Sequence, residues 1–289
     1  MKKRILTGER PTGKLHLGHY AGSLKSRIEL QDDYDMFILI ANMQALTDNF
    51  SNPHKVSSNI VEVMKDYLAV GLNPNKVKFV LESDISEISD LTIIFSNLVT
   101  LSRALRNPTV KSEIIQKEGE FIFEKISIGF LSYPINQSAD IAVFNADLVP
   151  TGEDQGPIIE QTREIIKKFN KLYGDILNLP DIYLTKTPRL VGIDGKNKMS
   201  KSLNNTINLG ESEDELKNKV MKMYTDPTRI HKNDPGHIEG NTVFIYHDIF
   251  NEDKDEVKNL KELYVNGKVS DVEVKEKLYK VLNTVLPSI

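Results

Sequence analysis

Residues Met36-Phe37-Ile38-Leu39-Ile40-Ala41 form an unbroken apolar run. Such a run is expected of a parallel strand buried on both faces, whereas a half-exposed strand alternates apolar and polar positions. Its surroundings fit a parallel sheet. Residues 5–7 read as a short strand ending at Gly8, and 17–31 as a helix. Ser51 or Asn52 caps a second helix, Pro53 occupies its first turn, and Val56, Ile60, Val63, Met64 and Tyr67 follow at helical spacing before Gly71 and Pro74. Residues 77–81 read as a strand. Helices are expected around 87–101 and within 121–133, and 141–144 is apolar but short. Residues 146–150 read as another strand, followed by the turn Thr151-Gly152 and a helix over 156–169.

This alternation predicts an α/β domain with a parallel sheet. Ligands in such sheets sit beyond the carboxyl ends of the strands, which directs attention to the loops after Thr7, Ala41 and Pro150. From about Gly210 the pattern becomes helical throughout. Residues 211–224 carry acids early and Lys217, Lys219 and Lys222 late, as the helix dipole favours. Ser270-Asp271-Val272-Glu273 is a capping box, with Val274, Leu278, Val281, Leu282 and Val285 as the apolar stripe behind it. A length of 289 residues accommodates one large domain or two smaller ones.

Composition narrows the chemistry. With no cysteine, disulfides, thiolate nucleophiles and zinc–thiolate sites are excluded. The six histidines are scattered, so no dedicated protein metal site is expected. A net charge of −4, shared evenly by the two halves, excludes a basic tail that would grip nucleic acid non-specifically, but not a local basic site. Neither a signal peptide nor a membrane-spanning run is read, and a soluble, cytoplasmic protein is expected.

Gly8-Glu9-Arg10-Pro11-Thr12-Gly13-Lys14-Leu15 nearly matches a phosphate-binding P-loop, but Leu15 replaces the hydroxyl residue and Pro11 removes an N–H from any phosphate cradle. The P-loop reading fails, although a phosphate-facing loop before a helix remains. His16-Leu17-Gly18-His19 follows, with two histidines on one helix face and a glycine that admits a close ligand. Gly195-Lys196-Asn197-Lys198-Met199-Ser200-Lys201-Ser202 suits a mobile loop that closes on phosphates. Either motif alone is weak: paired surface histidines and a solvated basic loop are both commonplace.

Together, and in this order, they resemble the class I aminoacyl-tRNA synthetases. Tyr133-Pro134-Ile135-Asn136-Gln137-Ser138-Ala139-Asp140-Ile141 and Asp147-Leu148-Val149-Pro150-Thr151-Gly152-Glu153-Asp154-Gln155 are similar to the bacterial tryptophanyl-tRNA synthetase pattern. So are Gln44-Ala45-Leu46-Thr47-Asp48 and Met223-Tyr224-Thr225-Asp226-Pro227. The resemblance runs from about Arg4 to Leu282, and the tyrosyl enzymes share its fold and two signature motifs.

The resemblance implies a Rossmann-like parallel sheet with a helical insertion over 1–203 and an all-helical, tRNA anticodon-binding domain over 204–289. It implies activation of tryptophan by ATP, with Mg2+ on the phosphates, and transfer to tRNA(Trp) by a homodimer. Tyrosine ligation, or a catalytically silent tRNA-binding paralogue, are the alternatives. The implied catalytic residues are His16, His19, Lys198 and Lys201. The implied ATP contacts are Arg10, Pro11, Thr12, Gly18, His19, Gly152, Glu153, Asp154, Gln155, Leu190 or Val191 through the backbone, Lys198, Met199, Ser200, Lys201 and Ser202. For tryptophan they are Leu6, Gln44, Tyr133, Gln137, Asp140 and Gln155. Asp140 reads the indole, since an ionised carboxylate only accepts and the indole N–H only donates. Tyr133 and Gln155 are candidates for the amino group. Four positions depart from the commoner bacterial pattern: Arg10 replaces Gln, His19 Asn, Gln44 His and Gln137 Met. Members of the family usually continue beyond Pro287-Ser288-Ile289. Should a terminal helix be absent, tryptophan activation is expected to survive better than tRNA charging.

Overall fold

The apolar run at 36–41 becomes the second of five strands in a computed structural model that describes residues 2–118, 126–152, 155–184, 190–231 and 233–286. In chain order the elements are β1 (Arg4–Glu9), α1 (Leu17–His19), a π-helical turn (Tyr20–Leu24), α2 (Lys25–Leu30), β2 (Asp35–Ile40), α3 (Asn42–Asn49), α4 (Pro53–Ala69), β3 (Val77–Leu81) and α5 (Ser86–Ser96). They continue with α6 (Leu101–Leu105), α7 (Pro108–Glu118), α8 (Ile128–Val143), β4 (Leu148–Thr151), α9 (Gly156–Tyr173) and β5 (Asp181–Leu184). Last come α10 (Glu213–Met221), α11 (Thr242–Phe250), α12 (Lys254–Val265) and α13 (Asp271–Val285). The sheet order is β3-β2-β1-β4-β5, and every neighbouring pair is parallel. The chain leaves β1 first toward β2 and β3 and later returns to β4 on its other side. The order therefore switches beside β1, where α/β sheets bind ligands.

Compactness divides the chain into two units. The first is Met1–Gly13 with Ser26–Thr185; the second is Lys14–Lys25 with Lys186–Ile289. This line differs from the expected division between 203 and 204. The segment carrying His16 and His19 groups with the C-terminal part of the chain.

In the first unit, Leu6, Leu39, Ala41, Val149 and Ile159 form one apolar cluster against the sheet, and Ile88, Phe95, Ile135, Ala139 and Ile165 form another among the helices. Helix α4 begins as read: Asn52 accepts from Lys55 N–H at 3.3 Å and Pro53 fills the first turn. Helix α8 differs from expectation. It continues through Pro134 to Val143, so 141–144 closes a helix rather than forming a separate element. Proline removes one helical hydrogen bond, but Ile135, Ala139 and Ala142 are buried in the helical cluster, and that burial outweighs the loss. Strand β5 went unread because, unlike the equally short β4, none of its four residues is buried.

In the second unit, α10 and α13 open with capping boxes at Ser212/Glu215 and Ser270/Glu273. Helix α13 buries Val274, Leu278 and Leu282 along the expected stripe. The chain around 15–17 lies antiparallel to 207–209, with Leu17 N–H donating to the Ile207 carbonyl at 2.9 Å and Leu209 N–H to that of Leu15 at 3.0 Å. Among the described residues, no helix is long and apolar enough to cross a membrane.

Candidate active site

Two groups of expected site residues lie in different units, and each has its own geometry. In the second unit, His16 is the N-cap of α1. Its Nδ1 accepts from Gly18 N–H at 3.1 Å, and its own N–H donates to His19 Nδ1 at 3.2 Å. The rings sit 3.9 Å apart between centroids. Accepting at Nδ1 places the proton of a neutral imidazole on Nε2. A Cβ on Gly18 would approach the His16 ring to 2.9 Å. Glycine is therefore required by the histidine cap itself, besides giving a ligand close access.

The lysine loop is a pinned hairpin. Met199 N–H donates to the Leu190 carbonyl at 2.9 Å, Gly192 N–H to that of Asn197 at 2.8 Å, and the Tyr246 hydroxyl to that of Val191 at 2.7 Å. Buried Asn205 binds the loop from inside: Oδ1 accepts from Ser200 N–H at 2.8 Å, and Nδ2 donates to Asp194 at 3.2 Å and the Lys198 carbonyl at 3.3 Å. Burial works to raise the Asp194 pKa, but hydrogen bonds from Lys196, Asn205 and Asn197 outweigh it and hold the carboxyl below its usual range. Gly195 turns the hairpin at φ +70°, where a Cβ would lie 2.5 Å from the Tyr224 ring. Met199 is buried, and its sulfur lies 3.3 Å from Gly18 N–H, joining the lysine loop to the histidine cap. Lys198 is exposed, and the Ser202 side chain lies outside the described atoms.

In the first unit the polar residues gather at the carboxyl ends of β1 and β3 and along α8. Arg10 pairs with Asp48 at 2.6 Å, and Thr12 N–H turns back to the Arg10 carbonyl at 2.8 Å. Pro11 is buried. Burial, and then the neighbouring Glu113 carboxyl, raise the Tyr133 pKa far above the phenol range; Arg10 and Asp48 also act on it. Gln137 is half-buried on α8. Gln155 opens α9, its N–H donating to the Gly152 carbonyl at 3.1 Å, while Glu153 and Asp154 lie outside the described residues. Leu6 belongs to the apolar cluster on the sheet.

Asp140 is 2% exposed, and its Oδ1 is buried with no hydrogen-bond partner. Burial first, and then the charge of Glu82, raise its pKa well above the usual carboxyl range. The sequence reading treated this group as simply ionised; its surroundings favour the proton until a donor reaches it. Sequence reasoning missed Glu82, also 2% exposed. One oxygen accepts from Met43 and Gln44 N–H at 2.9 and 3.0 Å, and the other from Asn136 Nδ2 at 2.7 Å. Burial raises this carboxyl too, against those three hydrogen bonds. The available signal was position, since Glu82 directly follows β3.

The family model described as "tRNA synthetases class I (W and Y)" matches residues 1–287. The chain belongs to that family. Relatives named tryptophan–tRNA ligase share 52% identity with this synthetase: one from Clostridium longisporum over 100% of this chain and 85% of its own length, another from Streptococcus pneumoniae over 97% and 84%. A tryptophanyl-tRNA synthetase from Campylobacter jejuni, solved with ADP and tryptophan, superposes with a TM-score of 0.85 at 32% identity, covering 99% of this chain and 86% of that one. A tyrosyl-tRNA synthetase from Archaeoglobus fulgidus, at 23% identity and a TM-score of 0.74, shares the fold.

Proposed function

We propose that the chain is a bacterial-type tryptophan–tRNA ligase. One observation carries the substrate assignment: a buried carboxyl oxygen on α8, in Asp140, lacks a hydrogen-bond partner. An unmet buried acceptor is costly, and an indole N–H satisfies it. A ring without a donor, such as that of phenylalanine, leaves it unmet, which is how a site discriminates strongly; the choice of indole over phenol, which also donates, is supported by the 52% identical tryptophan–tRNA ligases. Gln44, Gln137, Tyr133, Gln155 and Leu6 complete the amino-acid pocket in this reading, with Tyr133 or Gln155 on the amino group.

ATP is assigned to His16, Gly18 and His19 with the loop from Lys198 to Ser202. Arg10, Pro11, Thr12, Gly152, Glu153, Asp154 and Gln155 keep their expected contacts in the same proposal. The carbonyls of Leu190 and Val191 already accept from Met199 and Tyr246, so their N–H groups are the adenine contacts proposed here. The tryptophan carboxylate attacks the α-phosphorus; its bond to phosphorus forms as the bridge to the β-phosphate breaks, and pyrophosphate leaves. The nucleophile is already ionised and needs no base. Imidazole Nε2–H groups and the Lys198 and Lys201 ammonium groups then serve charge that grows on the phosphates. The 2′-hydroxyl of the terminal tRNA ribose next attacks the adenylate carbonyl and releases AMP.

Asp194, the carboxyl nearest the lysines in sequence, is engaged by Lys196, Asn197 and Asn205. The fitting place for Mg2+ is therefore the ATP phosphates, where it neutralises charge. A cytoplasmic homodimer, a catalytic domain over 1–203 and a tRNA-binding domain over 204–289 complete the proposal. Exchange of labelled pyrophosphate into ATP, dependent on tryptophan and not on tyrosine, tests the activity.

A further inference from the structure

Glu82 is not among the residues expected to touch either substrate, yet it is buried and both its oxygens are hydrogen-bonded. It lies directly after β3, and its two oxygens reach two different helices. The α3 arm consists of the Met43 and Gln44 N–H groups, at the open N-terminus of a helix whose N-cap residue, Ala41, has no side chain to offer. The α8 arm is the Asn136 amide, which Thr92 of α5 contacts at 3.2 Å on its other side. Gln44 follows in the first turn of α3. Gln137 is the next residue after Asn136 on α8, and Asp140 lies one turn beyond.

We propose that Glu82 is a positioning residue of the amino-acid pocket, tying the start of α3 to α8 so that Gln44, Gln137 and Asp140 meet the substrate in one arrangement. The inference rests on the tryptophan-ligase reading and extends it to a residue that touches no substrate. A neutral side chain could supply some of the tie; the charge does something further. Glu82 is the charged group acting on Asp140, and two nearby buried carboxyls resist double ionisation. Three donors and a helix N-terminus oppose the effect of burial on Glu82, which still leaves its pKa raised, whereas Asp140 has a bare oxygen. Helices α5 and α9 present uncharged Thr92 and Thr162 to α8, through Asn136 and Ser138. The other charges on this side, Arg10, Asp48 and Glu113, act on Tyr133. Burial and then Glu82 thus raise the Asp140 pKa, and an arriving indole N–H, which bonds the ionised form, acts in the opposite direction.

The chain contains no tryptophan, so the fluorescence of substrate tryptophan reports its binding directly. Glu82→Gln is expected to weaken tryptophan binding about ten-fold near neutral pH, with the KM for ATP within about two-fold of the parent. The acid limb of the binding profile should also move down by about one pH unit, because the like charge is gone. A purely structural role would lower the whole profile without moving its inflection, and that result overturns the proposal, as does unchanged binding. Should Glu82→Gln fail to fold, Asn136→Ala removes the α8 arm alone; it must weaken tryptophan binding while sparing the ATP KM, and an unchanged value overturns the proposal. Parent protein that binds no tryptophan would instead overturn the ligase reading itself, so the two failures are distinguishable.

Discussion

Single residues here are shaped by what surrounds them more than by their type. Asp140 is the clearest case. Sequence resemblance identified it as the indole reader, but only the folded chain shows a buried, partnerless oxygen with a raised pKa. Asp140→Ala should raise the KM for tryptophan about 100-fold and leave that for ATP unchanged, as measured by pyrophosphate exchange. Asp226 shows the opposite electrostatics. Its burial acts to raise the pKa, but Thr228 and His237 supply four hydrogen bonds, and these hold it far below the usual carboxyl range. The folded value lies below the unfolded one. Its stabilisation is therefore complete above the ordinary aspartate range and fades as pH falls toward the depressed value. Asp226→Asn should cost ~2 kcal/mol in urea denaturation at neutral pH, with the gap to the parent narrowing in acid.

At the level of elements, what could be read in the sequence was local. The α4 cap at Asn52 and Pro53, the capping boxes of α10 and α13 and the strands β1 to β4 each carry their signal within a few adjacent residues. Long-range partnerships left no such mark. Helix α8 passes through a proline because its neighbours bury Ile135 and Ala139, which no local pattern around Pro134 announces. Arg27 is another case: it is buried, whereas Lys25, two residues earlier, is exposed. Arg27 Nη2 bonds Glu9 at 2.7 Å and the Gly8 carbonyl at 3.3 Å, and Nη1 reaches the Tyr67 hydroxyl at 3.4 Å. This fixes the end of β1 just before Arg10, Pro11 and Thr12. Arg27→Ala removes one partner of a buried pair and should cost ~3 kcal/mol in chemical denaturation. The lysine loop makes the same point. Its motif was legible, but Asn205, which binds three of its segments, lies outside the motif. Asn205→Ala should lower the exchange rate about ten-fold while leaving tryptophan binding intact, by fluorescence of the bound substrate.

For the whole molecule, the net charge of −4 remains compatible with a nucleic-acid substrate, because tRNA is recognised by shape and unpaired bases as well as by phosphate contacts. Raising salt from about 50 to about 200 mM should weaken tRNA charging by about ten-fold or more, and change tryptophan-dependent exchange little, since only charging brings the many phosphates of tRNA onto the protein. The central claim is narrower: the chain activates tryptophan, whose indole N–H meets a buried unmet acceptor. Pyrophosphate exchange into ATP, run side by side with tryptophan and tyrosine on the unaltered chain, tests it most directly. Exchange that depends on tryptophan and is clearly weaker with tyrosine is the expected result. Equal exchange, a preference for tyrosine, or no exchange by folded protein would contradict it.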